Sequence, residues 1–429
     1  MNYHKLLFAF IVGAFSLSCT NTYSIEEQKT AEILKSLSSD EMRGRYALSD
    51  EIQIAEQYIA SEFQSAGLLP FNELDTYEQS FYVSESKLES ADISVAGKKI
   101  LDSDFISFTV DEQFTGDNES ISLGFINQND NFRSKFNDFR KSDVDVLVFV
   151  DMAFEELFGR YGSYYRHEHR FIEDSKKANV LFVLSENFNE NFAVNITSNL
   201  ERKQLTNLVG MVEGNRKDEF VIFSAHHDHL GIRTPINADS IANGANDNAS
   251  GVTAVIQLAH HFASQPKPER NLLFVTFTAE ELGGYGSQYF SSQLNPNEIV
   301  AMFNIEMVGK PALSGPNTAW ITGYNRSTFG EILSKSTEGT IYEFYADPYP
   351  KQNLFYRSDN ATLARLGVPA HSISTTPIDI DTDYHQVTDE FETINISHLN
   401  NTIKAIAKAA EGIISGKYTP TRLDPSQLD

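Results

Sequence analysis

The sequence predicts an α/β protein: a mostly parallel central sheet flanked by helices, with a smaller β-rich unit inserted. Three observations carry this. From residue 205 onward, apolar runs of strand length alternate with segments of helical period, the texture of a sheet covered on both faces. Between residues 87 and 200 that texture gives way to short β-like runs separated by Asn, Asp and Ser. Hydrophobic residues make up 41% of the 429 positions and aromatics 12%, which supplies a large core and excludes a disordered chain.

The elements follow in order. Lys5 precedes an apolar run over residues 6–15, then small residues and Cys19, the order of a secretory signal peptide spanning 1–18. The run is shorter than the roughly 20 apolar residues of a spanning helix. Ser16-Leu17-Ser18-Cys19 resembles a bacterial lipobox. The chain is therefore expected to be exported, either as a lipoprotein anchored in the cell envelope through Cys19 or, with an ordinary cleaved signal, as a periplasmic or secreted protein. Cys19 is the only cysteine, so no intrachain disulfide forms. Residues 25–67 read as two amphipathic helices, with Ile33, Leu34 and Leu37 in the first and Ile54, Ala55, Tyr58, Ile59 and Phe63 in the second, stopped by Gly67 and Pro70. Residues 87–204 are expected to form the insert, with β-like runs at 121–126, 144–150 and 180–184. Its stretch 154–171, with Arg160, Arg166, His167, His169 and Arg170, reads as a surface loop. Beyond residue 205, strands are expected at 220–225, 272–277, 299–305, 319–322 and 370–374, and helices at 251–262 and 396–414. No self-similarity at a period of about 20–50 residues indicates a repeat array.

Acidic side chains outnumber basic ones 59 to 34, a formal charge of −25, which argues against a nucleic-acid partner. In a sheet of this kind the ligand site lies at the carboxyl ends of the strands, and that is where the polar motifs fall. His226-His227-Asp228-His229 leaves the strand ending at Ala225. His226 and Asp228 are two residues apart in an extended exit, so both face one side and the carboxylate can orient a ligating imidazole. Asn243 to Gly251 leads into a helix; Asp247 suits an N-cap and equally suits a carboxylate bridging two cations. Glu280-Glu281 follows the strand ending at Phe277, and adjacent carboxylates there repel unless a cation or shared proton separates them. A first-turn acidic pair is one reading. In the other, one ligates metal while its neighbour accepts a proton from the attacking water. Glu306 leaves the strand ending at Ile305, and His385 sits in Asp383-Tyr384-His385 after the last strand. Metal donors at the ends of successive strands form one constellation.

These motifs, in this order, resemble metallopeptidase family 28, the co-catalytic zinc exopeptidases that include bacterial leucyl aminopeptidases. The resemblance runs through Ala225 to Gly231, Gly244 to Gly251, Ala279-Glu280-Glu281 with Gly286-Ser287, Asn304 to Gly309, and Asp383-Tyr384-His385. Residues 37–45 and Ala66-Gly67-Leu68 are similar to the family's N-terminal region. The resemblance implies a zinc exopeptidase fold whose peptidase domain comprises 19–86 and 205–429, with 87–204 as an apical insert where some relatives carry a protease-associated domain. It implies two zinc ions, with Mn or Co as substitutes: His226 and Glu306 on one, Glu281 and His385 on the other, Asp247 between them. It implies Glu280 as general base, Asp228 behind His226, and a cis Asp247–Asn248 peptide. Glu306 stands where many members have Asp, which moves its carboxylate by about a bond length. The implied activity is removal of N-terminal residues from peptides with a free amine, with no obligate protein partner. A carboxypeptidase, a glutaminyl cyclase and a non-catalytic receptor-like protein are the alternatives on this fold. Phe344-Tyr345, Pro348-Tyr349 and Phe355-Tyr356, followed by Ser358-Asp359, either line an apolar specificity pocket or pack in the core, with Ser358 as a helix cap.

Overall fold

The structure, a computed structural model, describes residues 23–427 except 73, 174–177 and 187–190; the apolar leader and Cys19 lie outside the described residues. Its main sheet runs in the order Glu343–Ala346, Thr318–Ile321, Ala370–Ser374, Ile299–Ile305, Arg216–His226, Arg270–Phe277, Phe192–Val212, Glu78–Val95, Lys98–Lys99. Four central strands, from Ala370–Ser374 to Arg270–Phe277, are mutually parallel. Arg270–Phe277 is buried at every position, as expected of a strand covered on both faces. Helices Glu27–Leu37, Ile52–Ala66, Ser250–Ala263 and Ile396–Ile414 supply the apolar residues of one face, and Tyr285–Ser292 and Asn360–Ala364 cover the other.

The insert is joined to this sheet more intimately than its composition suggests. Glu78–Val95 and Phe192–Val212 pair antiparallel from Glu78 opposite Leu208 to Val95 opposite Phe192, with one register shift at Thr197/Ser198. The expected boundaries at 86/87 and 204/205 fall inside these two strands. At their far end lies a separate four-stranded sheet, Phe105–Phe108, Val180–Leu184, Val146–Val150, Ser122–Ile126. The stretch 154–171 is not a loop: Glu155–Tyr165 is a helix and Glu168–Ile172 a strand paired with Glu78–Val95. Phe158 is buried, Tyr161 packs edge-on against Phe132 and Phe136, and Arg170 is ion-paired to Glu85. Arg166, His169 and Arg170 are thus tied down by partners distant in sequence, while Arg160 and His167 stay exposed.

Arg45 fastens the N-terminal helices to the sheet's functional edge. Its side chain is buried, and its guanidinium donates to the carbonyls of Leu37 (2.6 Å), His227 (2.8 Å), Asn243 (2.6 Å) and Gly244 (3.0 Å). Burial lowers its pKa to about 10, opposed by Asp389, Asp247, Asp228 and Glu281, so it remains charged at neutral pH. Arg45→Met would leave four buried carbonyls without that donor and the carboxylates without a countercharge. The expected cost is on the order of 3–5 kcal/mol in urea unfolding; a loss below about 1 kcal/mol would show that water replaces the guanidinium.

Candidate metal centre

Three strand ends and two loops bring the expected residues together. The Arg216–His226 strand delivers His226 at its last position, with Asp228 two residues on. Imidazole Nδ1 of His226 lies 3.1 Å from the Asp228 carbonyl and 3.8 Å from its carboxylate. The same carboxylate also accepts two backbone N–H groups, Oδ1 from Glu280 (3.0 Å) and Oδ2 from Glu281 (3.3 Å). Asp228 thus orients the imidazole through its own backbone while fixing the acidic pair beyond the neighbouring strand.

Asp247 lies on a distorted turn of residues 245–249, with a cis peptide to Asn248, before the Ser250–Ala263 helix. The Asp389 carboxylate accepts the backbone N–H of Asn246 and of Asp247 (2.9 Å). Gly244 has φ +54, and a Cβ there would meet the Asp247 carbonyl at 2.2 Å and the His229 ring at 2.5 Å, so only glycine lets this turn close. Asn248 Nδ2 donates to the Ile305 carbonyl and its Oδ1 accepts from Met307 N–H, fastening the turn to the segment that carries Glu306.

The side chains then form two donor sets that share Asp247. In the first, His226 Nε2 lies 3.4 Å from Asp247 Oδ1 and 3.1 Å from Glu306 Oε1. In the second, His385 Nε2 lies 3.3 Å from Asp247 Oδ2 and 3.2 Å from Glu281 Oε2. Tetrahedral donors about 2.0–2.1 Å from a zinc ion stand about 3.3 Å apart, so the imidazole–carboxylate spacings of both sets suit such a cation, with ligands of the right chemistry. Burial alone would lower the imidazoles, but the carboxylates around them raise His226 well above its ordinary value and His385 to about 10. Asp247 would be raised by burial, yet His226 and His385 hold it well below the usual range. The surroundings favour positive charge at both positions.

Glu280 lines the cleft beside the first set; its carboxylate makes no hydrogen bond to another described side chain. Burial, with Asp359, Glu306 and Glu281 adding to it against His226, raises it well above 4.5. The open cleft, about 600 Å³, is walled by Met307, Trp320, Leu354 and Ile378, with Arg357 and Tyr384 on its lining. Of the two readings of the nearby aromatic residues, packing holds for these three: Phe344 and Phe355 are in the core, and Tyr349 backs Trp320 edge-on at 5.7 Å. Ser358 is not a helix cap. Its hydroxyl donates to Glu306 Oε2 (2.7 Å) and accepts from Asn304 Nδ2 (2.8 Å), which holds the longer Glu306 side chain with Oε1 toward His226.

His229 is the site residue that sequence reasoning passed over. Its Nδ1 is 2.9 Å from Glu281 Oε1, and with Asp247 and Glu281 it forms a third possible donor group. Its separation of 4.0 Å from Asp247 Oδ2 is too long for a shared tetrahedral cation, so it is better placed as the partner that fixes Glu281. The signal was present in the tetrad; only the fold shows which histidine faces which carboxylate.

Comparison with known proteins agrees with this geometry: residues 207–410 match the model of peptidase family M28. This segment belongs to family M28. The M28 segment carries every residue of both donor sets. Leucine aminopeptidase 2 of Trichophyton rubrum is 26% identical over 265 residues, 55% of this chain and 50% of that protein. A probable zinc metalloprotease of Pyrenophora tritici-repentis is 33% identical over 111 residues, 24% of each. The chain thus spans about half the length of the curated leucine aminopeptidases it matches. Among solved structures, an aminopeptidase from Aneurinibacillus sp. strain AM-1 superposes with TM-score 0.53 at 16% identity, over 94% of this chain and 96% of that one. A Bacillus subtilis zinc aminopeptidase gives TM-score 0.56 at 15% identity, over 92% and 97%. At these identities the likeness establishes the shared fold.

The Ser358–Glu306 bond yields a direct test. Ser358→Ala frees Oε2 and should weaken metal at the His226–Asp247–Glu306 position by roughly tenfold to a hundredfold, as loss of a ligand's outer partner does. Competition against a chromophoric chelator measures it, and an unchanged affinity would show that Glu306 needs no support.

Proposed function

We propose that the protein is a zinc-dependent aminopeptidase that binds two ions and removes N-terminal residues from peptides. The observation that carries this reading is the pair of donor sets sharing Asp247, with the unligated carboxylate of Glu280 beside them. His226, Asp247 and Glu306 would hold one zinc, and Asp247, Glu281 and His385 the other. When bound, the ions supply Lewis acidity that activates water and polarises the scissile carbonyl. Glu280 accepts the proton of the attacking water and returns it to the departing amine; Asp228, through the Glu280 backbone, fixes where that carboxylate stands. Met307, Trp320, Leu354 and Ile378 supply an apolar wall for the first side chain.

Arg357 supports a second reading. It lines the cleft, largely exposed, with its guanidinium 3.5 Å from the Tyr384 hydroxyl. A carboxypeptidase would need such a cation for a terminal carboxylate.

Aminoacyl chromogenic amides, each with free and acetylated amine, together with acetylated dipeptides that have a free C-terminus, separate these readings when assayed before chelation, after it, and after zinc return. Cleavage of free amines alone, fastest for apolar first residues, lost on chelation and restored by zinc, is the expected outcome. Cleavage confined to acetylated peptides with a free C-terminus would instead select the carboxypeptidase. Glu280→Gln should lower turnover by on the order of a thousandfold or more with zinc content unchanged; a variant keeping most of its rate would remove Glu280 from the chemistry.

A further inference from the structure

His385 differs from the other proposed donors in how it is held. It sits in an irregular segment between the Ala370–Ser374 strand and the Ile396–Ile414 helix, at φ +59, a left-handed conformation that a histidine adopts only when its surroundings impose it. Its side chain is 37% exposed, against 17% or less for His226, Asp247, Glu281 and Glu306. Its position must therefore be imposed by the anchors of its loop.

One anchor is Lys310. Its Nζ lies 2.6 Å from Asp381 Oδ1 and 2.9 Å from Asp383 Oδ2, two residues before His385. Asp383 in turn accepts from the Thr388 hydroxyl (2.7 Å), and its carbonyl accepts Gln386 N–H (2.9 Å), closing a turn around Tyr384 and His385. Lys310 is itself rigidly placed. The four residues after Glu306 are fastened to the Asp247 turn by Met307 N–H to Asn248, Val308 N–H to Ser250 and Gly309 N–H to Asn246, and the Lys310 carbonyl accepts from Thr375. The Lys310 side chain is 13% exposed and that of Asp381 only 4%. Without the cation, the carboxylates of Asp381 and Asp383 repel each other across a partly buried gap, and the loop loses the charge that ties it to the segment after Glu306.

We propose that Lys310 is a positioning residue that holds the His385 loop and thereby sets the affinity of the Asp247–Glu281–His385 position, leaving the His226–Asp247–Glu306 position unaffected. The inference rests on the two-metal reading above.

Zinc competition against a chromophoric chelator, on the full chain, tests it, with His385→Ala marking which transition belongs to the second position. Wild type is expected to show two transitions. Lys310→Gln should weaken the second by roughly tenfold or more while the first stays within about threefold, and Lys310→Arg should restore most of the loss. Equal weakening at both positions, or none, would overturn the proposal. If Lys310→Gln does not fold, judged by thermal unfolding in chelator, Asp383→Asn carries the test with the same selective loss expected; unchanged affinity there overturns the proposal equally. Wild-type protein that takes up no zinc would overturn the metal reading and this inference with it. Two zinc ions bound equally well by wild type and both variants would overturn this inference alone.

Discussion

The structure is organised around an electrostatic demand: Asp228, Asp247, Glu280, Glu281, Glu306, Asp359 and Asp389 converge at one edge of the sheet, several of them buried. A buried carboxylate is costly unless it is paired, hydrogen-bonded or bound to a cation. Those solutions serve five of them, while burial pushes Glu280 and Asp359 up toward the neutral form. Asp228 and Asp389 spend their oxygens on backbone N–H groups of the acidic pair and of the Asp247 turn. Arg45 lies behind them as a permanent positive charge. Asp247, Glu281 and Glu306 instead turn toward imidazoles at distances that suit a shared cation.

The backbone is arranged to serve that demand. Parallel strands end at a common edge, so His226, the Glu280-Glu281 pair and Glu306 arrive there from adjacent strands without long loops. Asn246 and Asn248 then bind the turn carrying Asp247 to the segment after Glu306, making one rigid unit of two sequence-distant pieces. Rigidity of this kind lets a metal site discriminate among cations by geometry as well as by donor type.

Much of this was legible in the sequence, and what was not shares a physical reason. Buried parallel strands announce themselves as apolar runs, and a polar motif directly after such a run points to the sheet edge; His226, Asp228, Asp247, Glu280, Glu281, Glu306 and His385 all come together there. His229, Asp389 and Lys310 act through partners 52 to 143 residues away in sequence, and Arg45 through carbonyls as far as 199 residues away, so no local pattern names those partners. The segment 154–171 misled for a related reason: its charges and histidines look solvated until Glu85, Thr109 and the aromatic cluster of Phe132 and Phe136 are brought against them. The insert's boundaries were hidden because the composition changes partway along strands that themselves continue.

The insert supplies none of the metal donors, yet it bears on the chemistry through the turn that presents Glu280. Ala279 is buried at φ +56, an unfavourable conformation for a residue with a Cβ. It packs with Phe81 and Val83, on one strand leading out to the insert, with Leu205 on the returning strand, and with Ile172 on the insert's own strand. Tyr285, in the same cluster, donates its hydroxyl to the Arg170 carbonyl (3.3 Å). Glu280 is thus held from two directions, by the Asp228 carboxylate on its backbone N–H and by the root of the insert against the preceding residue. The proposed general base must stay off the metal and still reach the attacking water, and both contacts add to the backbone hydrogen bonds from Gly284 and Tyr285 to the Ala279 carbonyl that close this turn.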